Sequence, residues 1–160
     1  KHQEYSGCNM EYLDPETNEK YIPYVVEPSV GVERMVLTFL CNGIKRETLE
    51  NGDTREVFKI HPYLAPYKVS VLPLIKKLHS EKAKEVYKNL SKYFSCWYDE
   101  SGSIGKRYRR SDALGTPFAI TIDDETINNN TVTLRNRDTM EQIVIKLDEV
   151  KNYVNEKIEF

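Results

Sequence analysis

From Tyr67 to its end the chain alternates between the two hydrophobic periods a backbone can satisfy, and this alternation constrains its fold more than any other feature. "YKVSVLPL" puts Tyr67, Val69 and Val71 on one face, the period-2 signature of a strand. In "SEKAKEVYKNLSKYF" the positions Ala83, Val86, Tyr87, Leu90 and Phe94 recur at helical spacing, with Ser80 as the expected N-cap. A short strand "CWYD" follows, then the glycine-rich loop "SGSIG", a short basic helix and a stop at Gly115. "TPFAITID" is a strand with Phe118, Ile120 and Ile122 on one face. "TVTLR" and "EQIVIKL" are two more, and Val150, Tyr153, Val154 and Ile158 mark a closing helix. The order β-α-β-α-β-β-β-α predicts an α/β domain, a mixed β-sheet flanked by helices.

Upstream the pattern is less regular. The strand-like "YIPYVV" precedes an apolar, helix-like segment from Val32 to Cys41, and Asn51-Gly52 is a turn dipeptide between charged flanks, which suits a hairpin. "HPYLAPYK" reads as a stiff connector, so the expected division is 1–61 and 62–160. "KHQEYSGCNMEY" opens with neither a helix cap nor a strand start, as if inside a larger element. With 23 basic and 25 acidic side chains the net charge is −2, so any attraction for nucleic acid must come from a local patch. Cys8, Cys41 and Cys96 are odd in number and lack a C-x-x-C or a nearby histidine pair. That argues against a disulfide framework and against a bound metal, and fits a reducing, cytoplasmic compartment. No apolar run approaches the roughly 20 residues that a membrane span needs, and no signal peptide is evident.

The charge in "EPSVGVER" stands out, because it is placed between the strand-like "YVV" and the helix. A strand ending at Val26 would put Glu27 at its mouth, and a helix beginning near Val30 would expose free backbone N–H groups at Ser29 and Gly31. Such a terminus attracts anions, Arg34 adds a fixed charge one turn on, and Glu27 suits an ammonium group. The same residues also fit an ordinary helix start in which Glu33 supports the dipole, Arg34 pairs with a neighbour and Gly31 allows close packing.

A second candidate is "KRYRR", where Lys106, Arg107, Arg109 and Arg110 surround Tyr108. Single-stranded RNA is bound by phosphate contacts together with base stacking. A helix, however, spreads these residues around its surface, and Arg110 also has Asp112 or a sheet-edge carboxylate as an ion-pair partner. Arg135 and Arg137 of "TLRNRD" pose the same choice between a base edge and a neighbouring carboxylate. Trp97 is read as core or rim, His61 as structural, and His2 and His79 have no evident partner.

"EPSVGVER" resembles the third signature motif of class II aminoacyl-tRNA synthetases, in the form found in bacterial-type glycyl-tRNA synthetases. "HQEYSGCNMEYLDPETNEKYIPYVVEPS" resembles the end of that family's catalytic domain. "HPYLAPYKVSVLPL", "YDESGSIGKRYRRSDALGTPFAITID" and "TVTLRNRDTMEQ" resemble its C-terminal anticodon-binding domain. The fold implied is an α/β anticodon-binding domain preceded by a strand-helix remnant of the antiparallel-sheet catalytic domain. The activity implied is glycine-tRNA ligation from ATP, glycine and tRNA(Gly) through glycyl-adenylate.

Carried over by residue, the resemblance implies glycine binding by Glu27, Pro28, Ser29, Val30 and Gly31, and ATP binding by Gly31, Val32, Glu33 and Arg34. An arginine fork suits phosphate, and a closed pocket suits glycine, because selection must exclude a side chain rather than grip one. The first two class motifs have no counterpart here, so the chain alone is expected not to catalyse, and no residue is assigned a catalytic role. ATP is implied as substrate and Mg2+ as a cofactor of the intact enzyme. The implied partner is the tRNA(Gly) anticodon arm, met by Lys106, Arg107, Arg109, Arg110, Arg135 and Arg137. The full-length family forms homodimers, and this portion is expected to be monomeric. The alternative is a non-catalytic accessory module of synthetase ancestry that binds nucleic acid or protein, which would have no need to keep Glu27, Ser29, Gly31 and Arg34 together.

Overall fold

None of residues 1–42 is buried, and the secondary structure of the first stretch is correspondingly short. The computed structural model describes residues 1–159, which form two units that divide between Arg34 and Met35. The first unit holds helix α1 (His2–Ser6) and two-residue strands β1 (Tyr12–Leu13) and β2 (Lys20–Tyr21). These strands pair antiparallel, with the Tyr12 and Tyr21 rings edge to face at 5.8 Å. Residues 22–31 carry no regular structure, so the strand expected through Val26 is absent. A strand needs a neighbour for its backbone groups, and none of the described residues pairs with this segment. Helix α2 (Val32–Gly43) follows, starting two residues later than the sequence suggested, with Val36, Leu37 and Leu40 exposed.

Next come hairpin strands β3 (Ile44–Thr48) and β4 (Thr54–Phe58), in register from Ile44 opposite Phe58 to Thr48 opposite Thr54. Gly52 takes the left-handed conformation of the turn, at φ 83°. The proline-rich connector forms a 3-10 turn (Pro62–Leu64), held by the Lys68 ammonium, which donates to the carbonyls of Pro62, Tyr63 and Ala65.

The main sheet has the order β6-β5-β7-β8-β9. Strands β5 (Val69–Pro73), β6 (Cys96–Tyr98) and β7 (Phe118–Ile122) are parallel, while β8 (Thr131–Asn136) and β9 (Gln142–Lys146) continue antiparallel. The chain leaves β5 through helix α3 (Lys76–Leu90) toward β6, then returns through helix α4 (Ile104–Ala113) past β5 to β7. Right-handed crossovers in opposite directions place α3 and α4 on opposite faces. Side chains agree with that placement. Val69, Val71, Phe118, Ile120 and Leu134 join Ala83, Val86 and Leu90 of α3 and Val150 and Val154 of helix α6 (Val150–Ile158) in one apolar core. On the other face Ser70 is hydrogen bonded to Ser111 of α4 at 2.7 Å. The mixed sheet flanked by helices is therefore the expected fold class.

Two details differ from expectation. Helix α3 starts at Lys76 rather than after Ser80, because the buried His79 ring serves its first turn. His79 Nδ1 accepts from the Ile75 N–H at 3.0 Å, which leaves Nε2–H to donate to Asp124 at 3.1 Å. Ser80 instead donates to Glu100 at 2.9 Å. A short helix α5 (Asp124–Asn129) also precedes β8, opened by a reciprocal cap between Asp123 and Thr126 and closed by Asn130 at φ 56°. No described helix is long and apolar enough to cross a membrane.

Gly115 closes α4 at φ 77°, where a Cβ would lie 2.8 Å from Phe58 Cδ1 and 3.0 Å from the Phe58 carbonyl oxygen. Gly115→Ala is expected to destabilise the fold by about 1–3 kcal/mol in urea unfolding, through backbone strain and the clash with β4. Glu100 gives a pH signature. The Lys76 ammonium and the Tyr98 and Ser80 hydroxyls lower its pKa from 4.5 to about 2. A depressed folded-state pKa contributes stability above the unfolded value and loses it as pH falls through the folded one. The stability difference between wild type and Glu100→Gln is therefore expected to shrink between pH 4.5 and about 2, followed by thermal melts across that range.

Candidate nucleic-acid interface

Helix α4 brings the basic cluster together and then sorts it. Lys106 is exposed. Arg109, 47% exposed at its side chain, pairs with Asp53 at 2.9 Å and donates to the Thr54 carbonyl at 2.7 Å. Arg110, 43% exposed, pairs with Asp99 at the end of the edge strand β6, the sheet-edge carboxylate of the two partners the sequence allowed, and not with Asp112. Arg107 is buried, with donors to the carbonyls of Pro73, Glu100, Ser101 and Gly102, so it fastens the "SGSIG" loop to the end of β5.

The other two arginines also turn inward. Arg135 grips Asp112 with both terminal nitrogens, at 2.8 and 3.1 Å. Arg55 of the hairpin donates to the same carboxylate at 3.0 Å, to Glu47 at 2.6 Å and to the Arg137 carbonyl at 2.8 Å. Burial opposes the Arg55 charge, but Glu47 and Asp112 outweigh it and leave its pKa above the ordinary value. Glu47 is lowered by Lys59 first and by Arg55 as well, against its own burial. Arg137 donates to the carbonyls of Gly115 at 2.8 Å and Ile60 at 2.9 Å, and pairs with Asp138. Of the six predicted cations, Arg107, Arg135 and Arg137 are thus interior groups with their donors committed to the fold. Lys106, Arg109 and Arg110 remain at the surface.

Two grooves are lined by different residues of α4. One, about 310 Å3, is bounded by Arg46, Thr54, Glu56, Arg109 and Arg110. The other, about 290 Å3, lies at the carboxyl ends of β5 and β7, bounded by Leu74, Tyr108, Thr121, Asp123, Thr133 and Gln142. Here the chain order reverses between neighbouring strands, the place where open α/β sheets receive ligands. The Tyr108 hydroxyl is hydrogen bonded to Thr121, and the Arg135 guanidinium sits 4.9 Å from the Tyr108 ring centroid. Thr121, Thr133 and Gln142 are the groove residues that sequence reasoning missed. Period-2 alternation marks a sheet face, but only the strand order brings β7, β8 and β9 side by side at this end.

The stretch Glu27 to Arg34 is exposed throughout, with Glu33 in the first turn of α2. At Gly31 a Cβ would meet only Arg34 side-chain carbons, at 3.8 Å, so local packing does not demand glycine there. Among the described residues no cluster of three or more His, Cys, Asp or Glu is placed to hold a metal ion. Cys8, Cys41 and Cys96 are free thiols.

The anticodon binding domain family matches residues 68–157, and the chain belongs to that family. Over 160 residues it is 55% identical to a glycine–tRNA ligase of Clostridium tetani (strain Massachusetts / E88), covering the whole chain and 34% of that relative. A glycine–tRNA ligase of Clostridium kluyveri is 57% identical with the same coverage, and one of Geobacillus kaustophilus is 53% identical, covering 100% of the chain and 35% of the relative. The chain thus spans about a third of the length of these relatives. Among solved structures, the RNA binding domain of threonyl-tRNA synthetase from Cryptosporidium parvum Iowa II matches with TM-score 0.57 and 29% identity, over 62% of this chain and 25% of that one.

Removing one member of the buried ion network leaves uncompensated charge. Asp112→Ala is expected to cost about 3–5 kcal/mol in urea unfolding, because buried Arg135 loses its counter-ion and Arg55 is left with Glu47 alone. Arg109→Ala, at an exposed pair, is expected to change stability by less than about 1 kcal/mol.

Proposed function

We propose that this chain is the C-terminal part of a glycine-tRNA ligase and that its sheet domain binds the anticodon arm of tRNA(Gly). The observation that carries the reading is identity of 53–57% with glycine–tRNA ligases across the whole chain, motif "EPSVGVER" included. On this reading residues 1–61 end the catalytic domain and 62–160 form the anticodon-binding domain, joined through the Arg55–Asp112 pair. Glu27 and Ser29 hold the glycine ammonium, with Pro28, Val30 and Gly31 shaping a pocket too small for a side chain. Gly31, Val32, Glu33 and Arg34 face ATP. The always-charged Arg34 fork stabilises the negative charge that develops on phosphate as pyrophosphate leaves. The carboxylates needed for Mg2+, the opposing wall of the site and the homodimer interface belong to the rest of the ligase. The exposed apolar residues of α2 fit a helix that packs into that remainder. The working compartment is the cytoplasm.

Anticodon recognition falls to the surface cations of α4 and to the groove at the strand ends. Lys106, Arg109 and Arg110 meet phosphates, while Tyr108, steadied by Thr121, together with Thr133 and Gln142 offers stacking and hydrogen bonds to unpaired bases. Arg107, Arg135 and Arg137 act indirectly, by fixing the loop, the ring of Tyr108 and the end of α4.

A tRNA(Gly) anticodon stem-loop is expected to bind the chain, and Lys106→Glu with Arg109→Glu is expected to weaken it about tenfold. Altered anticodon bases should weaken it by about 1–3 kcal/mol each, measured by fluorescence anisotropy. Equal affinity for every anticodon would reject the recognition role. The chain alone should show no glycine-dependent ATP–pyrophosphate exchange.

A further inference from the structure

Strand β6 is an outer strand of the main sheet, and a cleft of about 520 Å3 opens beside it, lined by Tyr67, Lys84, Tyr87, Lys88, Trp97 and Tyr98. None of these residues lines either groove at α4. Four of the seven lining residues, Cys96 being the seventh, are aromatic. Tyr67 and Trp97 lie 5.2 Å apart at 55°, and Tyr87 and Tyr98 lie 5.9 Å apart at 60°. All four rings are half-buried and each turns part of its surface to the cleft. The Trp97 indole N–H is buried and has no hydrogen-bond partner among the described residues, although it can only donate.

The charged groups at the cleft have one sign. The Lys84 ammonium stands 5.9 Å from the Tyr98 ring centroid and 3.9 Å from Glu100, a carboxylate already held by Lys76, Ser80 and the Tyr98 hydroxyl. Lys88 is exposed and makes no ion pair with the described residues. Sequence-tolerant binding of single-stranded nucleic acid combines these two elements, aromatic faces that stack on bases and ammonium groups along the phosphates. An acidic peptide would satisfy the lysines but make no use of the aromatic lining.

We propose that this cleft is a second RNA site, which takes an unpaired nucleotide against the Tyr and Trp rings with its phosphates on Lys84 and Lys88. The site is independent of the reading of α4, and the two can be told apart. Trp97 is the single tryptophan of the chain, so its intrinsic fluorescence reports on this cleft alone. Titrating the 160-residue chain with a twelve-nucleotide oligoadenylate at low salt is expected to quench that fluorescence saturably. Lys84→Glu with Lys88→Glu is expected to weaken the quench about tenfold. Both side chains are exposed, so circular dichroism should stay unchanged. Lys106→Glu with Arg109→Glu should leave the quench intact while reducing stem-loop binding. The proposal is overturned by absence of a saturable quench, by a quench insensitive to the Lys84 and Lys88 changes, or by polyglutamate or polyphosphate quenching as strongly as the oligonucleotide. The last result would assign the cleft to acidic peptides or to charge alone.

Discussion

The oxygens of Asp112 accept from Arg135 of the sheet and Arg55 of the hairpin in a place where none of the three side chains is more than 8% exposed. Ions are costly to bury, and this group persists because its charges nearly cancel: two guanidinium groups face the carboxylates of Asp112 and Glu47. A fork on a carboxylate admits far fewer arrangements than an apolar contact of similar size. The network therefore fixes how α4, β8 and the hairpin meet, and Gly115 then lets Phe58 approach the end of α4. Everything that α4 presents to solvent inherits its position from this interior pair.

The two faces of the main sheet consequently do different work. The face under α3 and α6 is filled by Val, Ile, Leu and Phe and supplies the hydrophobic stabilisation. The face under α4 carries Ser70, Thr121, Thr133 and Arg135, so it contributes less of that term and more directional bonding. A polar face that runs out at the carboxyl ends of β5 and β7 leaves hydroxyl and amide groups at the rim of a groove. On the proposed function, such a composition suits reading base edges rather than only holding a backbone.

Much of this was legible before any coordinates. The order of strands and helices from Tyr67 onward followed from periodicity, as did the inward set Val69, Val71, Phe118, Ile120 and Ile122. The ends of elements were less readable. His79 replaced Ser80 at the start of α3 because a ring four residues along can satisfy a first-turn donor, an interaction without a compositional mark. Helix α5 hid in "DDETINNN" because it is one capped turn and a half, too short to show a period. The choice between the two roles of the arginines was not readable for a different reason. A guanidinium paired with a carbonyl or a carboxylate distant in sequence looks the same in the chain as one waiting for phosphate. The pairs that decide it, Arg55 with Asp112 and Arg137 with Ile60, span 57 and 77 residues.

On the proposed function, that burial also changes what kind of RNA contact α4 can make. A cluster with all its cations free would bind any polyanion, with affinity falling steeply as salt displaces the released counter-ions. With Arg107 interior, and Arg109 and Arg110 already paired with Asp53 and Asp99, little unspent charge is left. Each phosphate must displace an existing carboxylate partner or settle for Lys106. Net electrostatic affinity is therefore small, and so is its salt slope. On the proposed function, discrimination then rests on the uncharged groups of the strand-end groove, where an unmatched base leaves Thr or Gln hydrogen-bonding capacity unfilled. Such a loss is not screened by salt, which on that reading is how a chain with a net charge of −2 would serve a polyanionic partner selectively.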